Sequence, residues 1–189
     1  MCPLPHRRLI LDTLTEKSVD FLQGERIMGF PDFMLRGQMC PQEIVSYTEG
    51  MEESVIAFLT QAFEESGKQF EIEGRHKIYS DIPGNFELFL CMQDGGKIIG
   101  TVALHRLNGT DCELKTMYLL KDYHGKKLGY RLAVSAIDFA RTRGFTRMYL
   151  DSMKQYERAL RLYHSLGFKE TSRYNDNDKA DVFMVLDLN

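Results

Sequence analysis

Two hydrophobic periods alternate along this chain from Glu43 onward. Ile44-Val45-Ser46-Tyr47-Thr48 reads as a short strand. Val55, Phe58, Leu59, Ala62 and Phe63 then recur at helical spacing, one apolar stripe on an amphipathic helix. Residues 67–85 are polar, contain glycine and follow neither period. A strand over 86–93, a turn at Asp94-Gly95-Gly96, a strand over 97–106, a turn at Asn108-Gly109 and a strand over 112–120 form an antiparallel meander. Leu128, Leu132, Ala133, Ala136, Ile137, Phe139 and Ala140 give the broad buried face of a second helix, which Gly144 ends. A strand over 146–151, a helix over 156–166 closed by Gly167, and strands over 168–174 and 182–188 complete the pattern. Strand, helix, meander, helix, strand, helix and two strands make an α/β fold with a mixed sheet, in which the meander feeds a right-handed crossover.

Residues 1–41 break this regularity. Pro3, Pro5, Gly24, Gly29, Pro31, Gly37 and Pro41 leave room for one short helix near Thr15 to Leu22. The expected organisation is an N-terminal extension over 1–41 followed by one domain over 42–189. With 189 residues, one domain can have a full core and two cannot do so comfortably. A net charge of −3 argues against nucleic acid or an anionic membrane as the main partner. Locally, however, Lys121, Lys126, Lys127, Arg131, Arg141 and Arg143 gather around one helix. Cys2, Cys40, Cys91 and Cys112 show no metal-ligand spacing, and Cys91 and Cys112 sit in apolar strands as reduced thiols would. No metal is expected. Leu9-Ile10-Leu11 is too short for a signal-peptide core or membrane span, so the expected location is cytoplasmic.

The candidate chemistry lies between Glu113 and Phe168. The strand Leu114-Lys115-Thr116-Met117-Tyr118-Leu119-Leu120 leads through His124-Gly125-Lys126-Lys127-Leu128-Gly129 straight into a helix. Unpaired amides at a helix start, together with the positive end of its dipole, suit a phosphate or pyrophosphate. Further on, Leu162-Tyr163-His164-Ser165-Leu166-Gly167-Phe168 ends a helix on glycine with a tyrosine in its last turns.

From about Ile44 to Leu188 these segments, taken together and in this order, resemble the GNAT superfamily of N-acetyltransferases, particularly its small bacterial-type members. The family's cofactor signature, Arg/Gln-x-x-Gly-x-Gly/Ala, falls on His124 to Gly129, where His124 replaces Arg or Gln and Lys127 replaces the middle glycine. Glu113 to Tyr118 resembles the family's fourth strand, and Leu162 to Phe168 its Leu-Tyr-x-x-x-Gly-Phe helix end. The resemblance implies a mixed, mostly antiparallel sheet with splayed central strands and flanking helices. It implies acetyl-CoA as co-substrate, with the pantetheine arm along Met117, Tyr118 and Leu119. The pyrophosphate would lie on the amides of His124, Gly125, Lys126, Lys127, Leu128 and Gly129, and Asp151 and Ser152 would line the other wall.

Tyr163, in isolation a plain core tyrosine, becomes the candidate general acid in this setting: a phenol of pKa about 10 stays protonated at pH 7 while donating to a departing thiolate. Glu113 is the candidate general base, with His105 in the neighbouring strand as its rival. An amine of pKa about 10.4 must lose a proton at a cost of about 4.6 kcal/mol at pH 7. His124 serves the phosphate turn, His164 reads as a solvated helix position, and Asn175-Asp176-Asn177-Asp178 reads as a polar connecting turn. Lys126 and Lys127 are either phosphate partners or solvated charges. The expected activity is acetyl transfer to a primary amine, that of a small molecule, by direct attack in a ternary complex, since no cysteine is placed as a relay. The alternatives are acetylation of a protein lysine or N-terminus, and a non-catalytic acyl-CoA-binding module. Nothing fixes oligomeric state, and a homodimer is allowed.

Overall fold

The computed structural model describes residues 42–189. The extension over 1–41, with the short helix expected in it, lies outside the described residues. Seven strands form one sheet: β1 (Gln42–Ser46), β2 (Leu88–Asp94), β3 (Lys97–Arg106), β4 (Asp111–Leu119), β5 (Arg147–Ser152), β6 (Lys169–Glu170) and β7 (Val182–Asp187). Their order across the sheet is β1-β2-β3-β4-β5-β7-β6. Every neighbouring pair is antiparallel except β4 and β5. The parallel pair is joined by α3 (Leu128–Thr142), the crossover helix that the hydrophobic pattern predicts.

The remaining helices are α1 (Glu52–Glu65), the single turn α2 (Ile82–Asn85) and α4 (Glu157–Ser165). The five stripe residues of α1 are all buried, as are the seven expected on α3. Each valine, leucine, isoleucine or phenylalanine among them contributes about 1.5–3 kcal/mol by leaving water, and each alanine less. These two helices cover opposite faces of the sheet. Tyr118 lies across from Thr101, and its ring is 4.9 Å from Phe63 of α1. The next pair along, Gly100 and Leu119, faces Leu132 of α3, whose Cδ1 would stand 3.0 Å from a Cβ on Gly100.

Residues 67–85, aperiodic in sequence, form turns, a 3₁₀ turn at Lys77–Ser80 and α2. One sequence-based expectation of the fold changes. The strand expected over 168–174 is reduced to Lys169–Glu170. After Thr171, whose N–H still bonds the Phe183 carbonyl, the chain leaves the sheet, because side chains of residues 174–177 are drawn to carboxylates on β4 and β5.

The closed end of the β4–β5 junction is stapled by an ion pair. Arg147 Nε donates to Asp111 Oδ1 at 3.0 Å and Nη2 to Oδ2 at 2.8 Å, a two-pronged bond between residues that are also register partners. Burial alone would raise the Asp111 pKa, but hydrogen bonds from Arg147 and Asn108 and the Arg147 charge outweigh it and hold the carboxyl below its usual range. A depressed folded pKa gives stability that is present above the unfolded value of about 3.9 and is lost as pH falls through the folded value. Urea unfolding followed from pH 6 down to about pH 2 should therefore show a loss of stability that Asp111→Asn removes; Asp111→Ala should cost about 2 kcal/mol at neutral pH.

Candidate active site

The site is built on the gap that opens past the staple. β4 and β5 pair only at Asp111–Arg147, Cys112–Met148 and Glu113–Tyr149. Beyond that point β4 runs on to Leu119 and β5 to Ser152 as the two walls of a wedge. The cause of the separation is visible in the β3–β4 register. Thr101 pairs with Tyr118 but Ala103 pairs with Lys115, so one residue too many lies on β4, a β-bulge. Thr116, inside the bulge, has φ +57°, rare for a β-branched side chain. Thr101 Oγ1 donates to the Thr116 carbonyl at 2.8 Å, and the hydroxyls of Thr116 and Tyr79 lie 3.2 Å apart.

At the far end of β4 the chain makes a 3₁₀ turn at Lys121–Tyr123 and then starts α3. Gly125 has φ +79° and Lys127, the N-cap, φ +58°. Lys127 thus occupies the left-handed conformation that a glycine adopts without steric cost. The helical ladder begins with Arg131 N–H on the Lys127 carbonyl, which leaves the amides of Leu128, Gly129 and Tyr130 ahead of it. The His124 amide, expected to face a pyrophosphate, instead bonds the Lys121 carbonyl at 3.0 Å, because it closes the 3₁₀ turn. Its ring turns back to bond the Leu119 carbonyl through Nε2 at 2.9 Å, fixing the turn against β4. The Lys126 ammonium sits 4.9 Å over the Tyr123 ring, while Lys127 is exposed. Gly129 lies between β4 and α4: a Cβ there would be 3.6 Å from both Met117 Cε and Leu162 Cδ2, ordinary contact distances.

Tyrosines and carboxylates gather at the open mouth of the wedge. Tyr163 on α4 is buried; burial, then the Asp151 charge, push its phenol above the ordinary value. Burial, and then the charges of Tyr79, Tyr156, Tyr163 and Asp151, raise the Tyr118 phenol above its ordinary value. Among the described residues the Tyr156 hydroxyl is a buried polar atom without a hydrogen-bond partner. Burial also pushes the Tyr79 hydroxyl up to about 12, moderated by its Thr116 bond.

Glu113 is 3% exposed, and its carboxylate is fully engaged. Oε1 accepts from Tyr174 at 2.8 Å and from Asn175 Nδ2 at 3.1 Å, and Lys115 Nζ lies 2.9 Å from Oε2. The same Asn175 Nδ2 donates to Asp151 Oδ2 at 2.6 Å, so one amide group ties β4 to β5 across the widening wedge. Asn177 Nδ2 donates to Asp151 Oδ1 at 3.0 Å. The run 175–178, read from sequence as a plain turn, is therefore the strap over this mouth.

The structure brings Met117, Tyr118, Leu119, Gly129, Asp151, Ser152 and Tyr163 to the walls of the wedge or its mouth, and puts Glu113 at its apex. Ser152 ends β5 opposite Val182, and its carbonyl accepts the Asp181 N–H. His105 lies directly across from Glu113, and its Nδ1 donates to the Asn85 carbonyl at 2.8 Å, leaving Nε2 as the basic nitrogen. His164 is exposed, and Cys91 and Cys112 are buried free thiols. Sequence reasoning missed Tyr79, Tyr156, Tyr174 and Asn175. All four lie in irregular segments, and only the density of tyrosine and asparagine there hinted at them. Among the described residues no His/Cys/Asp/Glu group is arranged to hold a metal, and no helix is long and apolar enough to cross a membrane.

The Acetyltransferase (GNAT) family model matches residues 53–168. An uncharacterized N-acetyltransferase of Schizosaccharomyces pombe is 33% identical over 103 residues, which cover 53% of this chain and 63% of the relative. The match thus spans less than two thirds of that protein's length. The crystal structure of a GNAT-family acetyltransferase from Staphylococcus aureus Mu50 aligns with a TM-score of 0.71 at 22% identity, covering 78% of this chain and 99% of that one. YncA of Salmonella typhimurium, solved with its cofactor acetyl-CoA, aligns with a TM-score of 0.61 at 21% identity, covering 78% and 94%. At these identities the structural likenesses establish the fold.

The helix start carries a stability prediction of its own. Lys127→Gly relieves a left-handed side chain, a strain of about 1–2 kcal/mol, against a smaller entropic loss in the unfolded chain. The expected outcome is a net gain of about 0.5–1 kcal/mol in denaturant unfolding, whereas Lys127→Val should destabilise.

Proposed function

We propose that this chain, which belongs to the acetyltransferase (GNAT) family, transfers an acetyl group from acetyl-CoA to the primary amine of a small molecule within a ternary complex. The observation that carries this reading is the wedge: a strand edge left free by β4, ending at a helix start whose amides precede the ladder. One feature fits an added ligand: among the described residues the Tyr156 hydroxyl is buried without a partner, at a cost of about 1–3 kcal/mol that a ligand's polar atom would remove. Acetyl-CoA supplies the activated acyl group and a negatively charged pyrophosphate.

Each part of the chain then has a task. The amides of Leu128, Gly129 and Tyr130, with the α3 dipole, hold the pyrophosphate, and Lys127 adds an exposed positive charge beside them. The free edge of β4 around Met117 receives the pantetheine arm as an added strand. The Leu119 carbonyl already serves His124. Glu113 at the apex and Asp151 on the β5 wall put two carboxylates in the wedge, with Lys115 as the partner cation of Glu113, which favours arrival of the amine as an ammonium ion. Glu113, directly or through water, then accepts the proton that the nitrogen loses before it attacks the acyl carbon.

Tyr163 acts on the leaving group. Its phenol lies above the ordinary value of 10, whereas a thiol has a pKa of about 8.5. Full proton transfer to the sulfur is therefore uphill by at least about 2 kcal/mol, so Tyr163 works chiefly by donating a hydrogen bond to the developing thiolate. The chain's net charge of −3 offers no evident basic surface for a peptide partner, which favours a small amine.

An acceptor panel read by free-thiol release tests this. Turnover with small primary amines is expected; turnover with peptides alone would move the substrate to protein, and coenzyme binding without release from any acceptor would leave a binding module. Tyr163→Phe should lower kcat about 10–100-fold with the KM for acetyl-CoA little changed. Because burial raises the Tyr163 pKa, the enzyme should keep its acid form up to at least pH 10, and a basic limb below that pH must come from another group. Unchanged turnover in Tyr163→Phe would remove this residue from the chemistry.

A further inference from the structure

The bulge in β4 holds a conformation that its sequence does not favour. Thr116 is β-branched and sits at φ +57°, so the surrounding structure must hold it there. One restraint comes from within the sheet, the 2.8 Å bond from Thr101 Oγ1 to the Thr116 carbonyl. The other comes from outside it, the 3.2 Å contact between the hydroxyls of Tyr79 and Thr116. Tyr79 belongs to the irregular segment 67–85, which carries no other hydrogen bond to β4 among those described.

The placement of that hydroxyl is itself built with care. The Tyr79 ring stacks on Phe86 at 5.9 Å and lies 5.7 Å from Phe70. Phe70 continues to Phe63 at 5.3 Å, and Phe63 to Tyr118 at 4.9 Å. The Asn85 amide donates to the Ile78 carbonyl at 3.1 Å, holding the backbone just ahead of Tyr79. Segment 67–85 therefore meets β4 at the bulge, through the Tyr79 and Thr116 hydroxyls, and two residues on at Tyr118, through a chain of rings that passes by Phe63 of α1.

We propose that Tyr79 is a positioning residue whose hydroxyl latches Thr116 into the bulge, so that segment 67–85 controls how far β4 stands from β5. The proposal rests on the functional reading above and deepens it: the segment that carries Tyr79 and the strand that receives the coenzyme become one mechanical unit. Binding at either place then changes affinity at the other by the same factor.

Two conservative substitutions test the latch. Tyr79→Phe keeps the ring stack and Thr116→Val keeps the branched shape; each removes one hydroxyl. Calorimetry with coenzyme A should show each variant binding about three- to tenfold more weakly, the factor one ordinary hydrogen bond carries. The double variant should be no weaker than the worse single one. In a Thr116→Gly background, where glycine adopts positive φ unaided, Tyr79→Phe should have no further effect.

Additive losses, or a lower Tm with coenzyme affinity unchanged, would overturn the latch. Amide hydrogen exchange on the ligand-free protein decides the matter separately from the functional reading. Tyr79→Phe should speed exchange at Met117 to Leu119 while leaving Leu90 to Met92 of β2 unaltered. Exchange that rises everywhere alike, or nowhere, refutes the latch. Failure of the unaltered protein to bind coenzyme A would instead refute the functional reading.

Discussion

The architecture turns on one geometric conflict: two neighbouring strands are held together at one end and forced apart at the other. The Arg147–Asp111 fork and three register pairs fix the apex, and the extra residue at Thr116 makes β4 diverge. An internal strand edge is normally satisfied by its neighbour, since unpaired buried amides and carbonyls are costly. Here the edge stays free because the divergence leaves a trough open along it. All the other parts of the site take their places relative to that trough, with the helix start at one end and the tyrosines and carboxylates at the other.

A wedge of this kind needs something to set its width, and the chain uses a polar strap in place of an apolar plug. Asn175 gives one hydrogen to Glu113 and the other to Asp151, and its own Oδ1 accepts the Asn177 N–H, which fixes the orientation of the amide. Two carboxylates this close repel unless donors lie between them. Lys115, Tyr174 and the two asparagine amides provide these donors. The arrangement leaves more negative charge than positive at the mouth, which suits an incoming cation better than a neutral partner. It also explains why β6 is so short: residues that would have continued the strand are needed as ligands for the carboxylates.

Much of this was legible in the sequence, for identifiable reasons. The stripes of α1 and α3 and the β2–β3–β4 meander follow directly from periodicity, because burial on one face imposes it. Gly125 and Gly129 marked the turn, and the Leu-Tyr-x-x-x-Gly-Phe pattern marked Tyr163. The strap was not legible. Asn175 and Glu113 are 62 residues apart, and a run of Asn and Asp has the composition of an ordinary turn whatever it binds. Nor did Thr116 announce a bulge, since threonine is a good strand residue and its unusual φ is imposed by tertiary bonds. The apolar period identified the scaffold, while long-range polar bonds, which have no period, decided the shape of the site.

The distribution of backbone strain supports the same division. Among the described residues, Thr116 and Lys127 are the two non-glycine positions with positive φ. One stands in the strand that forms a wall of the wedge, and the other begins the helix at its far end. At about 1–2 kcal/mol each, the pair uses a noticeable share of a folding stability of about 5–15 kcal/mol. Both bear on the trough, by bending β4 away from β5 and by setting the amides of the α3 start in position. Strain of this kind is held only where the surrounding structure imposes it, and its coincidence with one cleft at two positions is a ground, separate from any motif, for proposing that cleft as the site.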